Sequence, residues 1–402
     1  MSACDQVVVV GAGLIGLAVG RRLAGDGHQV TVLEKEGEVA QHQSGHNSGV
    51  VHAGIYYTPG SLKAVLCRRG VGLLREFCAE HEVPYREVGK VVVARDSEEL
   101  GRLRDLESRA HRNGVPGVRW LRPEELHEVE PHVRGAAALL SPTTAIVDYV
   151  AVARAMAVDI EAAGGRVLLG ERVTGVIRER GDVVVRTESR DHQVRRHRAQ
   201  RLVLCAGLQS DVLARAAGDE PGPAIVPFRG EYFRLVPERS HLVRGLVYPV
   251  PDPAYPFLGV HFTPRVDGSV DIGPNAVLAT AREGYRRRDI DLRELAATLR
   301  WPGARRLFRA HWRAGVREMR GSLSKRAFVE TARSYLPELQ VDDVVRAPAG
   351  VRAQAVDADG SLVDDFRISE LGAVVAVRNA PSPAATSSLA IAEHVAQVVR
   401  RR

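Results

Sequence analysis

The stretch VVVVGAGLIG at residues 7–16, which Glu34 follows, decides the fold of this chain. The four valines are typical of a buried strand, residues 14–24 have the apolar spacing of a helix, and residues 30–33 predict a second strand. Strand, glycine turn, helix, strand and acid therefore occur in the order of a βαβ unit that binds a dinucleotide. A purely structural turn would not require the acid, so we favour a nucleotide site.

The three glycines of this stretch have separate roles in such a unit. Gly11 permits a tight turn after the strand, Gly13 lets the backbone approach a pyrophosphate, and Gly16 lets the helix pack closely on the sheet. Leu14 and Ile15 begin the helix, whose free amide groups and positive dipole end face the phosphates. We therefore predict that all five residues contact the cofactor.

Glu34 lies at the predicted end of the second strand, about twenty residues beyond the glycines. A carboxylate at this point accepts hydrogen bonds from ribose hydroxyl groups and disfavours a 2′-phosphate. We expect Glu34 and the neighbouring Lys35 to line the cofactor site. This unit alone fits both NAD and FAD.

The polar loop at residues 42–57, HQSGHNSGVVHAGIYY, favours FAD. A second phosphate and a ribityl chain need many hydrogen-bond donors close to the backbone, and Ser44, His46, Asn47 and Ser48 supply them. A hydrated surface loop is the alternative. The valines and tyrosines of the same loop draw it toward the interior, which fits that alternative poorly.

Composition limits the classes of function. The chain has 402 residues, 45% of them apolar, and a formal net charge of +7. Its arginines are spread along the chain without a nucleic-acid-binding module, so a small anion is a better partner than nucleic acid. We find no apolar run that could span a bilayer and no signal-peptide pattern, and we expect a cytoplasmic protein with possible peripheral contact to the inner membrane face. The scattered cysteines predict neither disulfide nor metal.

The order of predicted strands and helices indicates two intertwined domains. Residues 1–85, 141–220 and 346–402 are assigned to a discontinuous Rossmann-like domain that binds the cofactor, because strands and helices alternate there. Residues 86–140 and 221–345 are assigned to a mostly antiparallel β-sheet domain that covers the cofactor and holds the substrate. The predicted fold class is therefore α/β.

Segments along the whole chain resemble those of one family. They are HNSGVVHAGIYYTPGSLKA (46–64), FRGEYFRL (228–235), YPVPDP (248–253), FLGVHF (257–262), GPNAVLA (273–279), AGVRAQAV (349–356) and NAPSPAATSS (379–388). Their content and order resemble the L-2-hydroxyglutarate oxidase/dehydrogenase family, within the D-amino-acid-oxidase-like FAD enzymes. Ser44 stands where this pattern leads us to expect threonine, which keeps the hydroxyl group.

The resemblance implies FAD as cofactor and oxidation of L-2-hydroxyglutarate to 2-oxoglutarate, with hydride transfer from C2 of this small dicarboxylate to flavin N5. Such a reaction needs a base for the 2-hydroxyl group and cations for two carboxylates. Oxygen and a quinone are both open as electron acceptors. The alternative functions are the same flavin chemistry on another 2-hydroxy acid or an amino acid, and a redox-inactive FAD-binding protein.

Two histidines are candidates for the base. His52 lies in the polar loop, in a setting that resembles the His-Gly-Gly stretch of glycerol-3-phosphate oxidases. Its alternatives are a hydrogen-bonded core residue and, by analogy with dimethylglycine dehydrogenases, a covalent flavin link. His261 lies on a predicted strand of the substrate domain, where a histidine that only completes the core is the alternative.

Arg352 is the best candidate for binding a substrate carboxylate. It follows Gly350 by two positions, in a place that resembles the Gly-Ile-Arg element of the superfamily, and a guanidinium offers a bidentate fork that lysine lacks. Arg229 and Tyr232 are further candidates for substrate contact. For Arg229 the alternative is a structural salt bridge with Glu231.

Three further regions are predicted to contact the cofactor. Residues 379–388 are predicted to open the last helix, with their unpaired amides at the flavin pyrimidine edge and Ser382 assisting; an ordinary helix start capped by Ser382 is the alternative. The predicted strand at residues 202–206 ends at Gly207, close to the dinucleotide. By the resemblance, the remaining cofactor residues are Val173, Ala206, Gly350 and Pro383.

Overall fold

The computed structural model describes residues 5–179, 181–252 and 259–401. Among these residues the strands are β1 (Gln6–Val10), β2 (Gln29–Leu33), β3 (Val50–Val51), β4 (Tyr85–Glu87), β5 (Lys90–Ala94), β6 (Arg119–Leu121), β7 (Ala137–Ser141), β8 (Ala145–Val147), β9 (Arg166–Leu168), β10 (Glu171–Arg178), β11 (Val183–Ser189), β12 (Val194–Ala199), β13 (Arg201–Leu204), β14 (Ala224–Leu235), β15 (Leu246–Pro249), β16 (His261–Pro264), β17 (Val270–Gly273), β18 (Val277–Leu278), β19 (Val344–Val356), β20 (Arg367–Leu371) and β21 (Val374–Asn379). The α-helices in the same ranges are α1 (Leu14–Gly25), α2 (Leu62–Glu80), α3 (Ser97–Arg112), α4 (Pro123–Val129), α5 (Tyr149–Ala162), α6 (Ser210–Ala216), α7 (Leu292–Arg300), α8 (Pro302–Leu323), α9 (Lys325–Arg333) and α10 (Ser388–Arg400).

A six-stranded sheet carries the glycine turn. Its strand order is β20-β21-β13-β1-β2-β9, and all neighbours are parallel except β20 and β21. The valines of β1 are buried on both faces, as expected for a central parallel strand. Helices α1, α5 and α10 contribute to the same core. The turn after β1 therefore lies at the carboxyl edge of the sheet, between β2 and β13.

A nine-stranded, mostly antiparallel sheet forms the second layer of the site. β14 pairs with β19 along one edge and with β17 and β18 along the other, and the sheet continues through β16, β15, β5 and β7 to β6. Only the pairing of β15 with β5 is parallel in this described sheet. Helix α9 packs on one face, where Phe328 contacts Phe233. On the other face α3 packs against β5 and β7, and the rest of that face is available for the site.

The predicted fold class is confirmed, since a parallel Rossmann-like sheet is combined with a mostly antiparallel one. The domain boundaries stay a prediction, although sheet membership can be compared with them. The strands of the six-stranded sheet all come from the segments assigned to the cofactor domain. β19 crosses the assignment, because residues 346–356 pair with β14 of the substrate domain.

Some element ends differ from the sequence prediction. Helix α10 begins at Ser388 rather than near residue 384, and turns occupy residues 382–387. The sequence predicts a helix at residues 303–314, whereas α8 continues to Leu323 across a kink at His311. The strand predicted at residues 257–262 is seen from His261 onward, while residues 257 and 258 lie outside the described residues.

Candidate active site

The turn after β1 is so closely packed that two of its glycines leave no room for a side chain. Gly11 has φ +102°, and a Cβ atom on it would lie 2.5 Å from the carbonyl oxygen of Cys205. A Cβ atom on Gly16 would lie 1.9 Å from the carbonyl oxygen of Gly11. The backbone of residues 11–16 therefore forms a cradle at the N-terminus of α1, where amide groups and the helix dipole favour phosphate.

Two predicted cofactor residues bind the backbone of this turn. The Oε2 atom of Glu34, at the end of β2, accepts a hydrogen bond from the Ala12 amide at 2.7 Å. The Ser44 hydroxyl oxygen accepts one from the Leu14 amide at 3.0 Å. The structure thus brings the glycine turn, the acid and the polar loop into one place, as the sequence predicted.

Lys35 belongs to an ionic cluster next to the turn. Its Nζ lies 2.6 Å from Oε1 of Glu36, 2.8 Å from Nε2 of His42 and 2.8 Å from Oε2 of Glu283. The last three residues are close enough together to share a metal ion, but the Lys35 ammonium already provides positive charge among them. The contact of Lys35 with the cofactor stays a prediction.

Asn47 and His46 hold the polar loop in place. The Asn47 side chain donates to the carbonyl oxygen of Ser44 at 2.6 Å and accepts from the Gly49 amide at 2.8 Å. His46 Nδ1 lies 3.0 Å from the carbonyl oxygen of Ala349 on β19. These side chains therefore fix the loop against the substrate sheet, and their predicted contacts with the cofactor stay predictions.

One face of the nine-stranded sheet carries a row of polar side chains. Paired residues of neighbouring strands share a face, and successive residues of a strand alternate between faces. The registers therefore place Lys90 (β5), Tyr248 (β15), His261 (β16) and Tyr232 (β14) on the same face, which Arg352 of β19 joins. The rings of Tyr248 and His261 lie 4.0 Å apart, in agreement with this placement. We call this row the substrate face.

His261 is a neutral imidazole with a defined tautomer. Its Nδ1 donates to the carbonyl oxygen of Gly259 at 2.9 Å, and because a carbonyl only accepts, Nδ1 carries the hydrogen and Nε2 keeps its lone pair. Burial lowers the pKa of His261 to about 3, and the charges of Lys90 and Arg352 contribute. A bound dianion would offset those two charges and raise the pKa of this imidazole.

His52 approaches the substrate face from the cofactor side. Its amide donates to Oγ1 of Thr386 at 3.0 Å, and its Nε2 lies 3.3 Å from Oγ of Ser382. Burial lowers the pKa of His52 well below its ordinary value, and the charges of Lys90 and His261 contribute. His52 is therefore also neutral. Its Nδ1 is buried and has no hydrogen-bond partner within the described ranges, so no acceptor fixes its tautomer.

Arg352 and Tyr232 lie together, whereas Arg229 projects from the opposite face. Arg352 is exposed, yet desolvation by the surrounding protein lowers the pKa of its guanidinium. Burial raises the pKa of Tyr232, and the charge of Arg352 opposes this shift. The guanidinium of Arg229 pairs with Glu231 at 3.2 Å, and both are buried. The structure therefore has the salt bridge that was the alternative for Arg229.

An arginine-rich cavity of about 580 Å³ opens next to Tyr232. The basic residues that line it are Arg229, Arg286, Arg287, Arg288 and Arg346. Tyr285, also in its wall, stacks on His46 of the polar loop at 4.2 Å. Positive charge around such an opening raises the local concentration of anions, which suits a dicarboxylate.

Lys90 is a candidate that sequence analysis missed. It is only 1% exposed, and its Nζ lies 4.1 Å from the ring centroid of Tyr248. The apolar run at residues 91–94 predicts a strand that begins at Val91, so Lys90 lies outside the predicted strand. A lysine directly before a run of apolar strand residues in the substrate domain is the signal that would have found it.

The remaining predicted cofactor residues lie near the same parts of the structure. Gly350 touches the polar loop, since a Cβ atom on it would lie 2.5 Å from the carbonyl oxygen of His46. The others are Ser48 in the polar loop, Val173 on β10, Ala206 and Gly207 after β13, and Ser382 and Pro383 in the turns before α10. Their contacts with the cofactor stay predictions.

Known proteins are similar in sequence to this chain over almost its whole length. The family model described as FAD dependent oxidoreductase matches residues 6–398. The mitochondrial L-2-hydroxyglutarate dehydrogenase of Nematostella vectensis is 48% identical, across 99% of this chain and 91% of its own length. The L-2-hydroxyglutarate dehydrogenase of Escherichia coli is 44% identical, across 98% of this chain and 92% of its own length. The chain belongs to the L-2-hydroxyglutarate dehydrogenase family.

A solved structure has the same fold as this protein. It is the dithionite-reduced L-α-glycerophosphate oxidase from Mycoplasma pneumoniae with FAD bound, with a TM-score of 0.80 over 98% of this chain and 94% of that chain. At 21% identity the likeness concerns the fold alone.

The cofactor of this L-2-hydroxyglutarate dehydrogenase family member is FAD, and the site fits it. The cradle at residues 11–16 has no room for side chains at Gly11 and Gly16, which leaves backbone amides to face a phosphate, and Glu34 contacts this cradle. The predicted contact of Glu34 with the ribose stays a prediction. The polar loop continues from that point to the substrate face.

Replacing Gly16 by alanine is expected to lower the flavin content of the purified protein at least about tenfold, because overpacking of about 1–3 kcal/mol falls on the phosphate cradle. The measurement is the ratio of released flavin to protein. Gly101→Ala on α3 is the matched control, since a Cβ atom there has no described atom within 4 Å. Wild-type flavin content in Gly16→Ala would refute the cradle assignment.

Proposed function

We propose that the protein oxidises L-2-hydroxyglutarate to 2-oxoglutarate with FAD as cofactor. The observation that carries the proposal is the 44–48% identity to curated L-2-hydroxyglutarate dehydrogenases over nearly the whole chain. The substrate face supports it, because it presents neutral imidazoles and cationic side chains to one space. Such a site suits a hydroxyl group that lies next to a carboxylate.

We assign each residue of the site a role in this reaction. Arg352 binds the carboxylate next to C2 through its guanidinium fork, which fixes the orientation of the C2–H bond. The Nε2 atom of His261 accepts the hydroxyl proton, since its hydrogen bond to Gly259 leaves that lone pair open. His52 is the rival base on the cofactor side. Bound FAD supplies the hydride acceptor, flavin N5.

Anaerobic titration of the purified yellow protein distinguishes L-2-hydroxyglutarate from the alternative substrates, which are other 2-hydroxy acids and amino acids. L-2-hydroxyglutarate should bleach the oxidised flavin band at lower concentration than other 2-hydroxy acids or amino acids. Absence of bleaching by L-2-hydroxyglutarate would refute the proposed substrate, and absence of bleaching by the whole panel would point to a redox-inactive FAD protein.

Arg352→Met is expected to raise KM for L-2-hydroxyglutarate roughly 100-fold, with flavin content retained, because a desolvated charge contact to the substrate is lost. Steady-state kinetics and flavin content are the measurements. Arg229→Met is the matched comparison. It should lower the thermal midpoint of unfolding, because Glu231 loses this partner, and it should change KM less than Arg352→Met does. Equal effects of the two substitutions on KM would contradict the assignment.

The two histidines are separated by the rate of flavin reduction in anaerobic stopped flow. His261→Ala should slow reduction by about 100-fold or more, and His52→Ala by less, if His261 is the base. Burial holds the pKa values of both histidines below the ordinary value. The rate of flavin reduction in the wild type should therefore decrease with falling pH only well below pH 6.5. The reverse order of the two rates would assign the base to His52.

We also propose that the protein contacts the anionic inner membrane surface through α8. Within the described residues, no helix combines the length and apolar character needed to cross a bilayer. On α8, however, Trp312, Val316, Met319 and Leu323 are 46–68% exposed and spaced four, three and four positions apart, which makes one apolar stripe. Exposed arginines flank the stripe, and this pairing suits insertion among anionic lipid headgroups.

Contact with a membrane favours a quinone over oxygen as the electron acceptor, because it places the protein where quinones are dissolved. The cytoplasmic location expected from the sequence stays a prediction. Both points depend on the stripe of α8 rather than on the active site, so they can fail without the proposed reaction.

The double substitution Trp312→Ser and Met319→Ser is expected to reduce sedimentation with phosphatidylglycerol-containing vesicles at least about tenfold, since it removes roughly half of the apolar area that would be buried. Wild-type binding should weaken with salt and be low on phosphatidylcholine alone. Val158→Ser, an equally exposed apolar site on α5, is the control. Unchanged sedimentation of the double variant would exclude α8 as the contact.

A further inference from the structure

Lys90 is a buried cation without a counter-ion in the described part of the chain. Its Nζ lies between two aromatic rings, 4.1 Å from the centroid of Tyr248 and 5.2 Å from that of Tyr56. Among the described residues, neither a carboxylate nor a hydrogen-bond acceptor contacts this ammonium. Aromatic faces stabilise a cation, but they leave its hydrogen-bond donors unused.

The protein supplies carboxylates to its other buried cations. Among the described residues these pairs are Lys63–Asp364, Arg229–Glu231, Arg282–Asp211 and Arg378–Asp219. An ammonium taken out of water without such a partner costs several kcal/mol. Part of this free energy is recovered when a ligand brings the missing carboxylate.

Lys90 and Arg352 approach His261 from opposite sides of the substrate face. Two strand spacings, roughly 10 Å, separate the strand of Lys90 from that of His261, and three, roughly 14 Å, separate the strand of Arg352 from it. Both long side chains act on His261, since the charge of each contributes to its lowered pKa. The space between the two cations therefore lies over the candidate base.

We propose that Lys90 binds the distal carboxylate of L-2-hydroxyglutarate and so selects a dicarboxylate over a monocarboxylate of the same length. The inference rests on the proposed function. With one carboxylate on Arg352 and the hydroxyl group at His261, the remaining carboxylate extends toward β5. The ammonium then gains charge-assisted hydrogen bonds in place of its unmet donors.

The groups around Lys90 account for its titration. Tyr56 and Tyr248 flank the ammonium, Cys67 of α2 lies near it, and its charge acts on both His52 and His261. Burial lowers the pKa of Lys90 to about 7, with Cys67 opposing the shift. A carboxylate at Nζ would raise this pKa again. Ligand binding above pH 7 should therefore be accompanied by proton uptake.

Lys90→Met tests the proposal through a pair of substrates that differ only in the distal group. The variant should lose at least about 100-fold in kcat/KM for L-2-hydroxyglutarate, while kcat/KM for L-2-hydroxypentanoate changes little. Methionine keeps the length and apolar stem, and removal of a buried charge seldom prevents folding. Lys325→Met, at the start of α9 on the other side of the sheet, is the matched control. Equal losses on both substrates would overturn the proposal.

A binding measurement covers the case in which Lys90→Met lacks flavin. Glutarate, which has no hydroxyl group to oxidise, should perturb the flavin spectrum of the wild-type holoenzyme at concentrations where pentanoate does not, with proton uptake at pH 8 seen by calorimetry in two buffers. In the wild type, kcat/KM should decrease as the pH rises above about 7, because Lys90 loses its proton. This decrease (the basic limb of the pH profile) should be absent in Lys90→Arg. No preference for glutarate, or an unchanged limb in Lys90→Arg, would overturn the proposal. A wild-type flavin that L-2-hydroxyglutarate fails to reduce would instead refute the proposed function.

Discussion

The antiparallel pairing of β14 with β19 is the constraint on which the substrate face depends. The register runs from Ala224 opposite Val356 to Leu235 opposite Val344, with an irregularity between Gly230 and Tyr232. A slip of one residue would turn Arg352 away from Tyr232 and toward the opposite face. The same pairing brings the backbone at Gly350 against the polar loop. One set of backbone hydrogen bonds therefore aligns Arg352 with the polar loop.

Electrostatics on the substrate face follow from desolvation. Both imidazoles are kept neutral by burial and by neighbouring positive charge, and Arg352 and Lys90 are desolvated as well. Lys90 therefore leaves an excess of positive charge in a desolvated space, since no carboxylate of the described residues balances it. A dianion relieves that excess, whereas a neutral or cationic ligand adds to its cost. Selection by charge and activation of the base are then parts of one electrostatic arrangement.

Local patterns in the sequence were enough to predict the first βαβ unit. Residues 7–34 carry the strand, the glycines and the acid in one continuous stretch, and in the structure Glu34 accepts a hydrogen bond from the Ala12 amide of the turn. The α/β fold class was also predicted correctly, because motifs from both ends of the chain pointed to one family. Element ends near prolines and at the kink of α8 were predicted less well, since they depend on backbone hydrogen bonds that composition does not specify.

Residues of the site that depend on strand register were harder to predict. Arg229 and Tyr232 stand three positions apart and were grouped together, but alternation along β14 sends them to opposite faces. Lys90 was overlooked because its importance comes from burial without a counter-ion, and the sequence shows only a lysine directly before an apolar run. Candidates such as Arg352 and His52 were found through resemblance to a family, and the spatial relation between them came only from the fold.

The strand order of the six-stranded sheet also governs when the flavin site can form during synthesis. β1 leaves the ribosome first, but its neighbour β13 and the next strand β21 are made much later. Thr386, which holds the backbone of His52, follows β21. A nascent chain that ends before these residues has the glycine turn without the strand and turns that complete the site. Capture of flavin is therefore a late event in biosynthesis, and a prematurely terminated chain would expose apolar sheet edges that chaperones or proteases recognise.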